Sequence, residues 1–394
     1  MIDESLYQSG TKPSTIFQLF EYGLKQAAIV GRENVYDYSL GNPSVPAPGQ
    51  VTDVFQQLLD QEDPIALHGY TPAAGALNVR QAIAEDLSAR SGMTIRLQNL
   101  FLTCGAAPAL LYVLRALAAE QAEVVAITPY FPEYRVYAEA CGMRFIPTEA
   151  DLDQFQINLP SLERSITSHT QAVIVNSPNN PSGAVYSRET LEKLAALLTA
   201  KAKEIGHPIY IIADEPYREL VYDGAEVPFI PGIYPDTVVC YSYSKSLSLP
   251  GERLGYFCVP DGAADSARLY TAACAAARMM GHVCAPSLQQ RVIGACTHIR
   301  PQLEVYDKNR RTLYDALTSY GYRCVYPSGA FYLFVEAPNG SAKAFSDRAK
   351  EHNLLVVPGD DFGCPAFFRL STCVDSGMVE RSLPIFKRLA EQTP

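Results

Sequence analysis

Residues 241–256 read Tyr241-Ser242-Tyr243-Ser244-Lys245-Ser246-Leu247-Ser248-Leu249-Pro250-Gly251-Glu252-Arg253-Leu254-Gly255-Tyr256. An apolar, β-prone run ends in small hydroxyl residues, a single lysine follows, and a Pro-Gly turn leads on to an arginine. That order suits an amine nucleophile at the end of a strand, beside a site for an oxyanion. Two further stretches repeat the plan. After the apolar run that ends at Asn176 comes Ser177-Pro178-Asn179-Asn180-Pro181-Ser182-Gly183, a rigid turn that presents amide side chains at the carboxyl end of a strand. In Ile211-Ile212-Ala213-Asp214-Glu215-Pro216-Tyr217 another buried strand ends in a carboxylate, with a tyrosine shortly after it. Singly, these stretches have bland readings: a solvated lysine, an ordinary loop, a helix N-cap aspartate. Together they put Asn180, Asp214 and Lys245 at or just past the carboxyl ends of separate strands, the edge along which parallel α/β sheets bind ligands.

The 394 residues exceed what one small core organises, and a hydrophobic content of 48% suffices to fill two domains. A formal charge of −10 and a pI near 5.2 repel a phosphate backbone or an anionic membrane, so nucleic acid and membrane are excluded as partners and any basic site must be local. The ten cysteines include no Cys-x-x-Cys and the six histidines show no ligand spacing. Neither a metal site nor a disulfide framework is indicated, and the thiols read as buried in a reducing cytosol. The opening Met1-Ile2-Asp3-Glu4-Ser5 is acidic where a secretory signal is basic, and no apolar run approaches the roughly 20 residues that span a bilayer. A cytoplasmic protein is the expectation.

Along the chain, short apolar runs at 124–128, 172–176, 208–213 and 238–241 alternate with helical periodicity at 76–90, 108–120 and 188–203. This implies an α/β fold, a mostly parallel sheet covered by helices on both faces. The texture changes near Pro286: residues 287–296 and 301–320 read as helices, followed by short strands at 331–335 and 368–371. The expected division is an N-terminal arm that forms part of a small domain (1–45), a large domain (46–285) and a smaller α+β C-terminal domain (286–394). The Pro-rich passage Gly41-Asn42-Pro43-Ser44-Val45-Pro46-Ala47-Pro48 reads as an ordered loop joining arm to large domain. Arg369 sits inside the apolar strand Phe367-Phe368-Arg369-Leu370-Ser371; a buried guanidinium needs an anion, and its fork suits a carboxylate. A structural salt bridge is the competing explanation.

From about Ser14 to Arg388 the chain resembles the class I/II aminotransferases, the fold-type I family that depends on pyridoxal 5'-phosphate. The resemblance rests on Ser-x-Ser-Lys with the downstream Gly-x-Arg-x-Gly-Tyr, on the Asn-Pro-rich turn and on the strand-end Asp214 with Tyr217. It implies that Lys245 holds the cofactor as a Schiff base, while Ser242, Ser244 and Arg253 hold its phosphate with the turn Gly105-Ala106-Ala107 at a helix N-terminus. It implies that Asp214 keeps the pyridine nitrogen protonated, that Asn180 and Tyr217 meet the ring hydroxyl oxygen and that Phe131 stacks on the ring. Tyr70 is expected to reach the phosphate of a neighbouring subunit, which makes the protein a homodimer with shared sites. Gly41 is expected to close over the substrate, and Arg369 to bind its α-carboxylate. Two departures are visible. Ser177 splits the first Asn-Pro of the turn, and Ala106 and Ala107 offer only main-chain donors.

The implied activity is transamination in two half-reactions, from an L-amino acid to a 2-oxo acid, with 2-oxoglutarate as the expected acceptor. A carbon–sulfur β-lyase, or another enzyme on the same scaffold, is the alternative. A DNA-binding regulator built on this module would carry a basic helix-turn-helix at its N-terminus, and the sequence has none. Aspartate-preferring relatives often have a lysine where this chain has Ala107, which argues against an acidic donor. Phe17, Tyr130 and Tyr332 are candidates for an apolar side-chain pocket, and Arg278 or His282 for recognition of an acidic group.

Overall fold

In the computed structural model, which describes residue 2, residues 4–11 and residues 14–392, a seven-stranded sheet forms the centre of the larger part. Its order is Leu100–Thr103, Gly255–Cys258, Thr237–Ser242, Tyr210–Asp214, Thr170–Asn176, Glu123–Ala126 and Arg144–Pro147. Every pairing is parallel except the two made by Gly255–Cys258. The strands are apolar at successive positions because both faces are covered. Val173, Val175, Ile211, Ala213 and Val239 enter one core, while Ala172, Ile174, Ile212 and Val238 enter the other.

Helix boundaries follow local chemistry. Arg188–Ile205 starts at Ser187, whose side chain accepts from the Thr190 N–H at 3.0 Å, and stops at Gly206 in the left-handed region at φ 84°. The helix expected from residue 108 begins earlier, as Ala106–Leu117, because Pro108 falls in its first turn, where a missing N–H costs nothing.

A second unit is built on the antiparallel sheet Val357–Pro358, Phe367–Ser371 and Tyr332–Glu336, with Phe367–Ser371 in the middle. Leu313, Phe345, Phe368, Leu370 and Phe386 form its core with the helices Glu304–Ser319, Ala342–Lys350 and Ser376–Glu391. Tyr36–Asp37 pairs in parallel with Leu354–Leu355 and ties the N-terminal arm to this unit. Ser287–Cys296, which the change of texture assigns to the second unit, packs instead on Gly49–Gln61 and Leu77–Ser91, and it adds Val292, Ile293 and Cys296 to the core of the large sheet. Its apolar stripe is clear in the sequence, but the stripe does not say which sheet it faces. All ten cysteines are free, and among the described residues no helix is long and apolar enough to cross a membrane.

One buried cation joins the two units. The Arg310 guanidinium, from Glu304–Ser319, pairs with Asp307 on its own helix, with Asp223 at 2.8 Å and with the Pro327 carbonyl at 2.7 Å, and lies over the rings of Tyr222 and Tyr326. Arg310→Ala strands two carboxylates that are about a third exposed and keep Arg311. The expected loss is therefore about 3 kcal/mol, at the low end for breaking a buried pair, and thermal unfolding of the cofactor-bound protein measures it.

Candidate active site

Strand register sets the site. Asn176 is paired with Asp214, and Asp214 with Cys240, so three carboxyl ends open onto one side. There a cavity of about 540 Å³ lies against the second unit, with Lys245, Asp214, Asn180, Tyr217, Phe131 and Arg369 in its wall. These six were expected at the site, and the fold brings all of them together.

Lys245 lies on the single helical turn Tyr243–Ser246, where Ser242 caps the turn by accepting from the Ser244 N–H at 3.2 Å. Its Nζ donates to the Gly41 carbonyl at 2.6 Å. Glycine is required at 41 because an added Cβ would lie 2.0 Å from the Tyr332 hydroxyl oxygen. Burial lowers the Lys245 amine to a pKa of about 8; the positive charges of Arg253 and Arg369 act in the same direction, and Cys373 opposes them.

Asp214 is 5% exposed. Its Oδ2 accepts from the hydroxyl of Tyr134, whereas its Oδ1 is buried without a partner among the described residues. Burial raises its pKa to about 7, against the effect of the Tyr134 bond. Asn176 braces the same corner: its Nδ2 donates to the Asp214 carbonyl at 2.8 Å and its Oδ1 accepts from the Asn180 N–H at 2.8 Å. The Tyr217 hydroxyl lies 3.0 Å from that of Tyr332, and burial holds its pKa well above the ordinary phenol value. The Phe131 ring meets Tyr134 edge-on at 5.6 Å and forms part of the cavity wall.

Arg369 is 2% exposed and forms no salt bridge among the described residues, so the structural ion pair is absent. Its Nη1 donates to Asn180 Oδ1 at 2.9 Å and its Nη2 to the Ser39 carbonyl at 2.6 Å, leaving Nε buried and bare. A buried guanidinium without a carboxylate is a receptor for one.

At the other end, Arg253 donates from Nη1 to Ser244 Oγ at 3.2 Å and from Nη2 to the Cys104 carbonyl at 2.9 Å. Ser242 Oγ and Ser244 Oγ are 2.7 Å apart. Gly105, at φ 102°, caps Ala106–Leu117, and a Cβ on it would lie 2.4 Å from Arg253 Nη2. The helix N-terminus, a guanidinium and two hydroxyls thus face one small region, which suits a phosphate. With Lys245 for an aldehyde and the bare Asp214 Oδ1 for a protonated ring nitrogen, the donors fit pyridoxal phosphate along its whole length.

Other expectations are placed elsewhere. Tyr70 is 89% exposed and outside the cavity of its own chain. Tyr130 is buried edge-on to Phe145 and is no part of the cavity wall, because its strand-end turn points it into the core. His282 packs between Phe101 and Tyr112, and Arg278 is exposed on its helix, so neither reaches the cavity. Phe17 and Tyr332 do line it. Tyr134, Asn176 and Ser39 carry contacts that motif reading missed. Asn176 stood in the quoted turn and its amide was a usable signal; Tyr134 meets Asp214 only through the fold.

A protonated amine does not attack an aldehyde, so capture of added pyridoxal phosphate by the cofactor-free protein speeds up as pH rises through about 8. Stopped-flow absorbance measures this rate, and a midpoint at the ordinary lysine value contradicts the desolvated amine.

The family model described as aminotransferase class I and II matches residues 33–384. The aromatic-amino-acid aminotransferase 2 of Thermococcus litoralis is 28% identical over 89% of this chain and 88% of its own length. The aspartate/prephenate aminotransferase of Thermus thermophilus is 29% identical over 89% of each. The crystal structure of an amino transferase from Eubacterium rectale superposes with a TM-score of 0.98 at 52% identity, covering 100% of this chain and 99% of that one. The chain belongs to the class I and II aminotransferases and is a pyridoxal-phosphate-dependent enzyme that moves an amino group from an amino acid to a 2-oxo acid.

Proposed function

We propose that Lys245, Asp214 and Tyr217 carry the chemistry of this enzyme and that 2-oxoglutarate is its amino acceptor. The observation that carries the residue roles is the buried, unpartnered Asp214 Oδ1, which shares one cavity with a desolvated lysine and a guanidinium lacking a carboxylate. When bound, the cofactor supplies an aldehyde that exchanges amino groups and a protonated ring that draws electrons from the substrate α-carbon.

The side chains supply the rest. Asp214 holds the proton on the ring nitrogen, and the opposite charge returns its own pKa toward the ordinary range. Asn180 and Tyr217 hold the ring hydroxyl oxygen, and Phe131 covers the ring. Ser242, Ser244, Arg253 and the N–H groups of Ala106 and Ala107 hold the phosphate. Arg369 grips the substrate α-carboxylate and so fixes the α-carbon, while Gly41 closes over it. Lys245, with an amine that is half neutral at about pH 8, takes the proton from that carbon.

Arg253 is exposed in the single chain, so the phosphate end lies open to solvent. Tyr70 at 89% exposure and Ile65 at 85% are unburied apolar surface. Both observations support a homodimer in which Tyr70 reaches the phosphate site of the partner.

Lys245→Ala removes the visible Schiff-base absorbance and lowers kcat by about a thousand-fold or more, with thermal unfolding intact. A coloured, active variant contradicts the assignment. Arg369→Lys keeps the charge but loses the fork, and raises KM for every amino donor by about ten-fold or more; an unchanged KM removes Arg369 from the substrate site.

A further inference from the structure

One carboxylate in the cavity wall has no part in these roles. Glu133 opens the helix Glu133–Ala140 and lines the cavity, as do Ile16, Phe17 and Leu110. A glutamate in a first helical turn is ordinarily a surface residue stabilised by the helix N-terminus. Glu133 is half-buried and faces the cavity instead, and among the described residues its side chain makes no hydrogen bond or ion pair. The charge that acts on it is another carboxylate, Asp361, which accepts from the Thr15 hydroxyl at 2.7 Å. Burial, and then Asp361, push the Glu133 carboxyl above its ordinary pKa. Among the described residues the cations in the cavity wall are Lys245 and Arg369, both already engaged.

We infer that Glu133 is a specificity-determining residue that receives a positively charged group at the end of the donor's side chain. The donor class is an L-amino acid with an apolar stem and a terminal cation, of which L-lysine is the simplest probe. Ile16, Phe17 and Leu110 pack against the methylene stem, and the half-buried carboxylate gains a counter-ion that no described residue provides. A dicarboxylic donor brings its distal charge toward Glu133 without compensation, and the distal carboxylate of 2-oxoglutarate meets the same repulsion, which raises its KM as acceptor. The inference rests on the cavity being the aminotransferase site with Arg369 on the α-carboxylate.

The test compares L-lysine, L-norleucine (the same stem without the ammonium) and L-glutamate as donors to the holoenzyme and to Glu133→Gln, by the single-turnover change in cofactor absorbance. The wild-type enzyme is expected to favour lysine over norleucine in kcat/KM by about ten-fold, mostly through KM. In Glu133→Gln that ratio falls about ten-fold, and the ratio of glutamate to norleucine rises. A wild-type preference for norleucine, or a lysine-to-norleucine ratio unaltered by the substitution, overturns the role of Glu133 and leaves the aminotransferase reading in place. Failure of the wild-type holoenzyme to convert any donor overturns both. The wild-type comparison decides the matter even if the variant does not retain its cofactor.

Discussion

A carboxylate buried at the end of a parallel strand, with one oxygen bonded and the other bare, is the constraint on which the site depends. Desolvation of Asp214 is costly, and the single hydroxyl of Tyr134 offsets only part of it. A protonated ring nitrogen supplies the missing partner, so the protein before cofactor binding stores an unsatisfied charge that the cofactor relieves. The same desolvation makes the interaction strong, because little water competes for it. Asn176, on the adjacent strand, holds the Asp214 main chain by donating to its carbonyl, and the Asp214–Cys240 register passes that position to the strand that leads to Lys245.

Around this anion the chain gathers its cations. The molecule carries a formal charge of −10, yet Lys245 and Arg369 line one cavity and Arg253 lies close enough for its charge to act on the Lys245 amine. Their mutual repulsion helps to keep the Lys245 amine near pH 8, where it serves both as a nucleophile and as a proton acceptor. The acidic surface and the basic pocket therefore answer different needs. The first keeps away polyanions, and the second holds small ones: a phosphate at one end and an α-carboxylate at the other. Glu133 breaks that pattern, which is why it points to the substrate side chain rather than to the reacting atoms.

Much of this was legible in sequence because it is local. Apolar runs ending in Asn176, Asp214 and Ser242 mark strand ends whatever their neighbours, and a parallel sheet brings such ends to one edge. The strand arginine at 369 is similarly readable, since a buried guanidinium makes sense only with a close partner, whereas Gly105 was placed at the phosphate turn by the resemblance. Contacts made only by the fold were not legible. Tyr134 meets Asp214 across 80 residues, Arg369 meets Asn180 across 189, and the amine of Lys245 finds a carbonyl 204 residues away. Orientation was equally hidden. Tyr130 and His282 have the residue types of a pocket wall but turn into aromatic packing, and Ser287–Cys296 shows its apolar stripe without showing which sheet it covers.

The central claim is that Asp214 holds a proton on the cofactor's ring nitrogen. Nitrogen-15 NMR of the holoenzyme, reconstituted with cofactor labelled at that atom, reads the protonation state directly. A pyridinium signal that persists from mildly acidic to mildly alkaline pH in the native protein, and collapses to neutral pyridine in Asp214→Asn, is the predicted result. A neutral ring nitrogen in the native holoenzyme, or a pyridinium signal indifferent to the substitution, contradicts the account.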